Sequence, residues 1–359
     1  TDALIEGMNG ERIDLTVTGP MHTPVGAYYG YLKDTNTAVY VISRNAGEGA
    51  DRGMTKKVTV NEVEYELGDY ELSDVEKENL KKVASTFENT IVVLNVGGVI
   101  DTKFFEETEG LDSLLLMGQG GQEGGNALLD VVTGAVTPSG KLTDTWAENY
   151  SDYPASATFA KADGDSMKEW YKEGIYVGYR YFDTFEVPVR YGFGYGLSYT
   201  DFEISNYRLV KISAEKISIS ASVKNTGKVS GKEVVQVYAS LPGGTLEKEA
   251  HRLAAYAKTA ELKPGETEEV TMEVTVDALT SYDEESAAWI LEKGFYGIWI
   301  GNSLASAKLC GGMKLDAKVT KRQVKNLFPL KQDLEEIVQE PSRTENAQKQ
   351  QRNLPESRR

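Results

Sequence analysis

The sequence predicts an α/β domain with a mainly parallel sheet, followed by an all-β sandwich and a charged tail. Up to about residue 200, short continuous apolar runs alternate with helical stretches, as in parallel strands that are buried on both faces. Beyond it, apolar residues recur at every second position, which is typical of strands that bury one face. From about residue 313 the chain is charged and poor in apolar residues. We therefore expect domains at residues 1–200 and 201–312 and a linker at 313–359.

The first domain reads as alternating strands and helices. Residues 39–42 are a β-branched run that predicts a buried strand. Ser73 and Glu76 have the spacing of a capping box, which predicts a helix through about Phe87. The buried face expected for this helix is Val75, Leu80, Val83 and Ala84. Further strands are predicted at residues 91–95 and 114–117, and a helix from about Gly125 to about Gly134.

The second domain is predicted from alternation and turn signals. Residues 216–223, 234–238 and 270–276 alternate at period two. Asn225-Thr-Gly227 and Lys263-Pro-Gly265 separate such runs, as turn residues do. Several short alternating strands within about 110 residues are typical of an antiparallel β-sandwich.

The segment that follows the first strand carries a candidate catalytic carboxylate. Glu48 is flanked by Gly47 and Gly49, which release the backbone into a loop. In open α/β sheets, ligands bind beyond the carboxyl ends of the strands. A glutamate there can be tuned for proton transfer by its neighbours Arg44, Asp51 and Arg52. From these residues alone, an exposed loop salt bridge is the alternative interpretation.

Three motifs in one order point to a family. Two of them follow the Glu48 segment: QGGQEGGNALLDVVTGAVTPSGKLTDT at residues 119–145, and YKEGIYVGYRYFDT at residues 171–184 with YGFGYGLSYT at 191–200. Together the three segments resemble the motifs of family 3 glycoside hydrolases, the β-glucosidase-like enzymes. The resemblance covers roughly residues 30 to 310.

The resemblance implies a function shared between domains. It identifies Glu48 as the general acid/base of a retaining β-glycosidase. The enzyme implied is a β-glucosidase. Its expected substrate is a β-glucoside or oligosaccharide, from which it removes terminal non-reducing β-linked sugars. In the family, the nucleophilic aspartate lies on a (β/α)₈ barrel, and no segment here has that pattern. We therefore expect this chain to be a piece of a larger enzyme, inactive alone, whose partner is a barrel domain or a partner chain.

The resemblance also assigns the domains and shows departures. Residues 201–312 hold the position of a fibronectin type III-like domain, and Trp289, Gly294, Tyr296 and Gly301 match its closing hairpin. We expect the α/β domain to be incomplete at its N-terminus, because residues 1–30 match poorly. Ala50 stands where family members often have an aromatic residue, and Met117 and Gly120 replace the usual aromatic and proline. These departures bear on the choice of substrate.

Other candidate residues have two interpretations each. Glu123 is the runner-up for the catalytic role, and its simpler role is to complement a helix N-terminus. Asn126 is expected to be a first-turn hydrogen bonder rather than a ligand contact. Arg44, Asp51 and Arg52 are expected to brace the Glu48 loop, with direct sugar contact as the alternative. The cluster of Tyr176, Tyr179 and Tyr181 is expected to pack in a core or interface, and an aromatic wall for sugar is the alternative.

Several function classes are disfavoured by the residues. In Gly118-Gln-Gly120-Gly-Gln-Glu123, glutamate stands at the third glycine of a dinucleotide fingerprint. With only two histidines and one cysteine, a zinc site is not expected, and we expect no cofactor. No Gly-x-Ser-x-Gly elbow occurs. The serious rival is a non-catalytic carbohydrate-binding or interaction module.

Composition limits the partners and the compartment. A net charge of −16 opposes nucleic-acid binding, which needs basic patches. No apolar run approaches the roughly 20 residues that cross a bilayer, so no membrane partner is expected. Cys310 is the only cysteine, and the start of the chain lacks a signal-peptide layout. We expect a cytoplasmic protein, with secretion as the alternative, and a homo-oligomer is a further expected form.

Overall fold

The chain divides into two compact units. The computed structural model describes residues 36–44, 55–60, 63–159, 167, 169–330 and 334–339. The first unit comprises Thr1–Val136 and Trp146–Tyr153, and the second comprises Thr137–Thr145 and Pro154–Arg359. Within the described ranges, no helix is long and apolar enough to span a membrane.

The first unit is built on a three-stranded parallel sheet. Its described elements are β1 (Thr37–Arg44), β2 (Thr55–Val60), β3 (Val63–Gly68), α1 (Asp74–Thr86), β4 (Asn89–Val96), α2 (Lys103–Glu107), β5 (Ser113–Leu116), α3 (Gly124–Val132), β6 (Trp146–Ala147) and a 3₁₀-helix (Tyr150–Asp152). The sheet order is β1-β4-β5, with both pairings parallel. Strands β2 and β3 form a separate antiparallel hairpin. The parallel α/β class predicted from the continuous apolar runs is confirmed.

The centre of this sheet is β4, which covers the buried strand predicted at residues 91–95. Val92, Val93 and Leu94 of β4 have at most 1 % of their surface exposed, and Ile42 of β1 is fully buried. Burial of such aliphatic side chains stabilises a fold by about 1.5–3 kcal/mol each. The sheet therefore has a dry centre, and its polar groups lie at the strand ends.

Helix α1 begins where the capping-box spacing predicts. The Ser73 hydroxyl accepts the backbone N–H of Glu76, and the Glu76 carboxylate accepts the backbone N–H of Ser73. The helix ends at Thr86, one residue before the predicted end. Of the expected face, Leu80, Val83 and Ala84 are buried and Val75 is half-buried, while Glu76 and Asn79 are buried in addition. The packed face of α1 therefore contains two polar residues beside the apolar ones.

Three further elements of the first unit differ in how well the pattern predicts them. Strand β5 and helix α3 lie within two residues of their expected ends. Gly134 follows α3 with φ of +75°, a left-handed conformation that favours glycine and ends the helix. The hairpin β2–β3 was not expected, because its short alternating runs are rich in charge.

The second unit is mostly antiparallel sheet. Its described elements are β7 (Val189–Tyr191), α4 (Tyr179–Thr184), β8 (Phe202–Ile212), β9 (Lys216–Asn225), β10 (Val234–Ser240), β11 (Arg252–Lys258), β12 (Thr267–Thr275), a 3₁₀-helix (Val276–Leu279), β13 (Ser281–Asp283), β14 (Ala288–Leu291), β15 (Gly294–Gly301), β16 (Lys308–Leu315) and β17 (Val319–Gln323). The sheets are β11-β10-β15-β16, β12-β9-β8 and β13-β14-β17.

Alternating side chains from the sheets form one core. Ile219 of β9, Val237 of β10 and Ile298 of β15 are fully buried in the same aliphatic cluster. In β12 the burial alternates residue by residue, so Val270 and Met272 face inward. The three alternating runs predicted from sequence are strands, and the β-sandwich is confirmed.

The compact units do not divide at the domain boundary expected near residue 200. Residues 137–145 and 154–200 belong to the sandwich unit. The Thr137 hydroxyl donates to the Ser230 carbonyl at 2.7 Å, and Lys141 forms an ion pair with Glu233 at 2.9 Å. These contacts join residues distant in sequence, so composition along the chain does not reveal them.

Two strands extend into the segment that is predicted to be a linker. Strand β16 runs to Leu315, and β17 pairs with β14 in the third sheet. Most side chains of β17 are exposed. The strand is held by backbone pairing and by the Arg322 guanidinium, which lies over the Trp289 ring, 5.7 Å from its centroid. A strand without a buried face has no apolar alternation, and it resembles a charged linker in sequence.

Candidate functional site

The candidate site lies where the strands of the first unit end. Strand β1 ends at Arg44, four positions before Glu48. Glu48, Asp51 and Arg52 lie outside the described residues. The site is therefore described from the side chains that surround the end of β1 and the ends of β4 and β5 in the same sheet.

Arg44 is fixed by a complete set of hydrogen bonds. Its Nε donates to the Asp69 carbonyl at 2.7 Å, and its Nη1 donates to the Ser43 carbonyl at 2.8 Å. Nη1 and Nη2 also donate to the two carboxylate oxygens of Glu76, at 2.8 and 2.9 Å. Nη2 donates in addition to the Glu71 carbonyl at 3.4 Å. All five guanidinium N–H groups are thus in use, and none is left to bind a sugar.

Glu76 is equally constrained, because helix α1 begins beside it. The carboxylate is fully buried and accepts from Arg44, from the Ser73 backbone N–H at 2.9 Å and from the Ser73 hydroxyl at 3.2 Å. An acidic side chain in the first turn also faces the positive end of the helix dipole. The pair is a bidentate, charge-assisted contact with every partner satisfied, which is the arrangement that makes a buried ion pair tolerable.

The ends of β4 and β5 bring amide groups to the same edge of the sheet. Asn95 donates to the Ser43 hydroxyl at 3.5 Å, so it lies beside the end of β1. A methyl group added at Gly97 would meet the Gln119 amide at 2.9 Å, so this side chain packs against Gly97. Sequence reasoning did not single out Asn95 or Gln119. The signal available was their position, one just before and the other three residues after the end of a parallel strand.

Glu123 and Asn126 form a pair at the start of α3. Glu123 occupies the N-cap position without a side-chain cap, and its carboxylate accepts from the Asn126 amide at 2.6 Å. Both side chains are at least partly exposed. Asn126 is thus a first-turn hydrogen bonder. Glu123 is accessible, and its hydrogen-bond partner is local.

An aromatic cluster that was not anticipated follows Asp69. The Tyr70 ring is buried and lies edge-on to Tyr150 and Tyr153, with centroids 5.1 and 6.3 Å away. Burial raises the pKa of Tyr70, with Tyr153 and Asp101 adding to the shift. Its neighbour Asp69 supplies the carbonyl that receives Arg44, so the cluster supports the chain beside the candidate site.

The three motif tyrosines of the second unit are packing residues. Tyr176 is 1 % exposed and its hydroxyl donates to Glu247; burial and this contact raise its pKa. The Tyr179 hydroxyl accepts the Leu253 N–H at 2.8 Å. The Tyr181 ring packs against Phe185, with centroids 5.0 Å apart. This geometry favours the packing interpretation over a wall for sugar.

A short C-terminal segment returns to this region of the second unit. Ile337 donates its N–H to the Lys172 carbonyl at 2.8 Å. The Gln339 amide donates to the Tyr176 hydroxyl at 3.0 Å and to the Lys248 carbonyl at 2.6 Å. A cleft of about 460 Å³ lies beside the segment. It is lined by Pro154, Ala155, Thr158, Trp170, Lys172, Glu173, Glu335, Glu336 and Ile337. Arg44 and Glu123, the predicted site residues that the structure describes, do not line this cleft.

No group of three or more histidine, cysteine, aspartate or glutamate side chains in the described part of the chain is arranged to hold a metal ion. His251 instead pairs with Asp183 at 2.9 Å and lies edge-on to Trp299. This histidine therefore joins helix α4 to the sandwich.

Two protein families match the chain. Residues 27–179 match the Glycosyl hydrolase family 3 C-terminal domain, and residues 233–304 match the Fibronectin type III-like domain. The first match contains the end of β1 and the whole Glu48 segment. The second covers β10 to β15, the central strands of the sandwich.

The proteins and structures similar to the chain include several β-glucosidases. Beta-glucosidase A of Butyrivibrio fibrisolvens is 40 % identical over 76 % of this chain and 36 % of its own length. A Beta-glucosidase of Ruminococcus albus is 40 % identical over 83 % of this chain and 30 % of its own. The structure of beta-glucosidase 3B from Thermotoga neapolitana in complex with glycerol aligns with a TM-score of 0.73 and 36 % identity, over 89 % of this chain and 44 % of that one. The chain spans about a third of the length of these two curated relatives.

Proposed function

Because this chain belongs to family 3 of the glycosyl hydrolases, of which it carries the C-terminal domain and the fibronectin type III-like domain, we propose that it supplies the general acid/base carboxylate of a retaining β-glucosidase. Glu48 is that carboxylate. The nucleophilic aspartate belongs to a barrel domain that lies elsewhere in the intact protein or on a partner chain.

The observation that carries the proposal is the position of the Gly-Glu-Gly segment. It begins three residues after Arg44, the last residue of a parallel strand. The carboxyl ends of such strands are the usual place for ligand groups in open α/β sheets. Asn95 and Gln119 lie at the same edge, so hydrogen-bonding side chains from three strand ends come together there.

The chemistry requires a second carboxylate. In a retaining glycosidase, one carboxylate attacks the anomeric carbon while the other donates a proton to the departing oxygen; the two lie about 5–5.5 Å apart. In our proposal, Glu48 donates that proton first. It then takes a proton from the water that breaks the glycosyl–enzyme bond, and so returns to its starting state.

The remaining site residues have supporting roles in the proposal. Asp51 and Arg52 brace the Glu48 loop. Arg44 braces its base, since its donors are all taken within the protein. Glu123 is the weaker candidate for the acid, because its carboxylate is exposed and bonded to its first-turn neighbour Asn126.

The proposed substrate is a terminal, non-reducing β-linked glucose. The names of the two curated relatives support this choice of sugar. Ala50 lies two residues beyond Glu48, where a larger aromatic residue would offer a stacking face. We therefore propose that contacts outside this segment supply much of the affinity for the sugar ring.

A first experiment tests whether the site is shared. The purified 359-residue chain is assayed on aryl β-glucosides beside the full-length protein that carries a barrel. We expect turnover only from the full-length protein. Robust turnover by the chain alone would contradict the shared site. A full-length protein without any barrel would favour a carbohydrate-binding module instead.

A second experiment tests Glu48 in the full-length protein. Glu48→Gln keeps the shape of the side chain and removes its transferable proton. General acid–base catalysis contributes about 10²–10⁴-fold, so kcat should fall by that order on glucosides with poor leaving groups and less on activated aryl glucosides. Azide should partly restore turnover of the activated substrates, because it replaces the water that needs a base.

The matched control is Glu123→Gln at the start of α3. It should retain activity on both classes of leaving group and show no response to azide. If Glu48→Gln loses activity equally on both classes and azide has no effect, another carboxylate is the acid/base. A leaving-group response from Glu123→Gln would transfer the role to that residue.

A further inference from the structure

The Arg44 guanidinium joins the two ends of one excursion of the chain. The chain leaves the sheet after Arg44 and comes back beside the end of β1 at Asp69, whose carbonyl accepts from Arg44. The hairpin β2–β3 lies between these two points in the sequence. The guanidinium binds the Ser43 carbonyl where the excursion begins. It binds the Asp69 and Glu71 carbonyls where the excursion ends. We call Arg44, Glu76 and the carbonyls of Asp69 and Glu71 the base clasp.

Glu76 fixes the orientation of this clasp. Its carboxylate is held on one side by Ser73 at the start of α1 and on the other by both terminal nitrogens of Arg44. A planar guanidinium bound at two points by a fixed carboxylate cannot rotate without breaking both bonds. The carbonyls at the two ends of the excursion are therefore held against a rigid cation.

We propose that the base clasp positions Glu48 for proton transfer, with Arg44 and Glu76 as positioning residues that do not touch the substrate. This inference rests on the proposed function of Glu48. It means that the buried ion pair at the helix cap affects turnover. The excursion from residue 45 to residue 68 contains Glu48. Because the clasp fixes both ends of the excursion, it limits the positions that Glu48 can take relative to the sheet.

The expected effect follows from the tolerance of catalytic geometry. A displacement of about 1 Å caused by a change remote from the reacting atoms can reduce a rate by about 10²-fold. Loss of the clasp should therefore lower kcat for poor leaving groups by about 10²-fold. The KM should stay unchanged, because neither residue contacts the sugar.

The test variant is designed to remove the clasp without leaving a buried charge. Arg44→Met/Glu76→Gln replaces the cation by an apolar chain and the anion by a neutral amide. The glutamine oxygen still accepts from the Ser73 N–H, so the helix cap is kept. Replacing both members of a buried pair by neutral side chains is often nearly neutral for stability, whereas removing one member is not.

A matched control exists in the second unit. Lys248 and Glu292 also form a buried ion pair, at 2.7 Å, and Glu292 likewise accepts the backbone N–H of Thr245. Lys248→Met/Glu292→Gln removes that pair by the same two substitutions. It should leave both the excursion and the turnover of poor leaving groups unchanged.

Two measurements are made on the variants. Hydrogen exchange of the backbone amides of residues 55–68 is followed in the 359-residue chain. One hydrogen bond to a charged group corresponds to a factor of about ten or more. We therefore expect at least tenfold faster exchange in Arg44→Met/Glu76→Gln and no change in the control. The kcat and KM are measured in the full-length protein on both leaving-group classes.

Each outcome decides a separate question. Unchanged exchange at residues 55–68 overturns the clasp, whatever the activity. Faster exchange with unchanged kcat overturns its positioning role. If Glu48→Gln shows no leaving-group dependence, the proposed function fails, and the exchange result still decides whether the clasp holds the excursion. Faster exchange together with a kcat loss confined to poor leaving groups supports the inference.

Discussion

In the first unit, three parallel strands end beside a buried arginine–glutamate pair, whereas in the second, antiparallel sheets enclose a core of aliphatic side chains. The sandwich distributes its stabilisation over many small contacts. The end of the parallel sheet concentrates its contacts on one guanidinium, with five hydrogen bonds from Arg44 alone.

The difference shows what each architecture offers to function. Alternating aliphatic side chains make a support whose polar groups, such as Asn225 at the end of β9, bond to neighbouring turns. The parallel sheet brings carbonyls, amides and charges to one edge, where each must be satisfied. That edge can hold a reactive carboxylate near fixed partners, and it is more sensitive to the loss of a single side chain.

The largest effect should come from breaking the ion pair on one side only. Arg44→Met leaves the fully buried Glu76 carboxylate without its cation. Removing one partner of a buried pair costs about 3–5 kcal/mol. Urea titration of the chain should show this loss in the free energy of unfolding. Lys77→Met, at an exposed position of α1, should change it by less than about 0.5 kcal/mol. Equal small effects would mean that the pair is hydrated.

A core truncation in the sandwich should come next. Ile219→Ala removes a fully buried side chain from the aliphatic cluster. The lost burial and the cavity should cost about 3 kcal/mol. Val210→Ala on β8, where the valine is 57 % exposed, is the control. Urea titration of both variants checks the contrast, and a loss below about 1 kcal/mol for Ile219→Ala would show that the core collapses around the gap.

A smaller effect is expected at the cap that supports Glu76. Ser73→Ala removes the hydroxyl that accepts the Glu76 N–H at 3.3 Å and donates to its carboxylate. Loss of an N-cap side chain costs about 1 kcal/mol. Ser85→Ala, near the other end of α1 and exposed, should cost less. Thermal unfolding of the pair measures the difference, and equal melting temperatures would contradict a role for the capping box.

In both units, sequence pattern predicts local features and misses contacts between residues that are distant in sequence. The run at residues 216–223 predicted β9 because a half-buried strand repeats every two residues. Ser73 and Glu76 predicted the start of α1 because a capping box is local. The partner of Glu76 is Arg44, 32 positions away, and no local period contains that contact.

The same limit explains why the compact units and strand β17 do not follow the domain limits expected from sequence. Strand β17 has almost no buried face, so its sequence resembles a linker, although Trp289 pairs with Arg322 across the strands. Residues 137–145 join the sandwich through single contacts such as Thr137 to Ser230. Long-range pairing decides both cases. The role of Glu48 remains a prediction from position and family.

The smallest effect should appear in acid, at a pair of the third sheet in which Lys318 is exposed and Asp283 is largely covered. Hydrogen bonds from Ser286 and Lys318 hold the pKa of Asp283 at about 2, below its usual 3.8. A depressed pKa gives stability that is present above pH 4 and lost as pH falls toward 2. The excess melting temperature of the wild type over Asp283→Asn should therefore shrink across that window. A pH-independent difference would contradict the lowered pKa, and added salt should reduce the effect.

The Gln339 contacts change where the chain is tethered. Without them, anything attached after this residue would be linked to the end of β17. With the Gln339 amide bound to the Tyr176 hydroxyl and the Lys248 carbonyl, the attachment point lies beside the motif tyrosines. Effective concentration depends on the length and the origin of a tether. In a fusion, a cargo placed after Gln339 should therefore meet this face more often than one placed after Gln323.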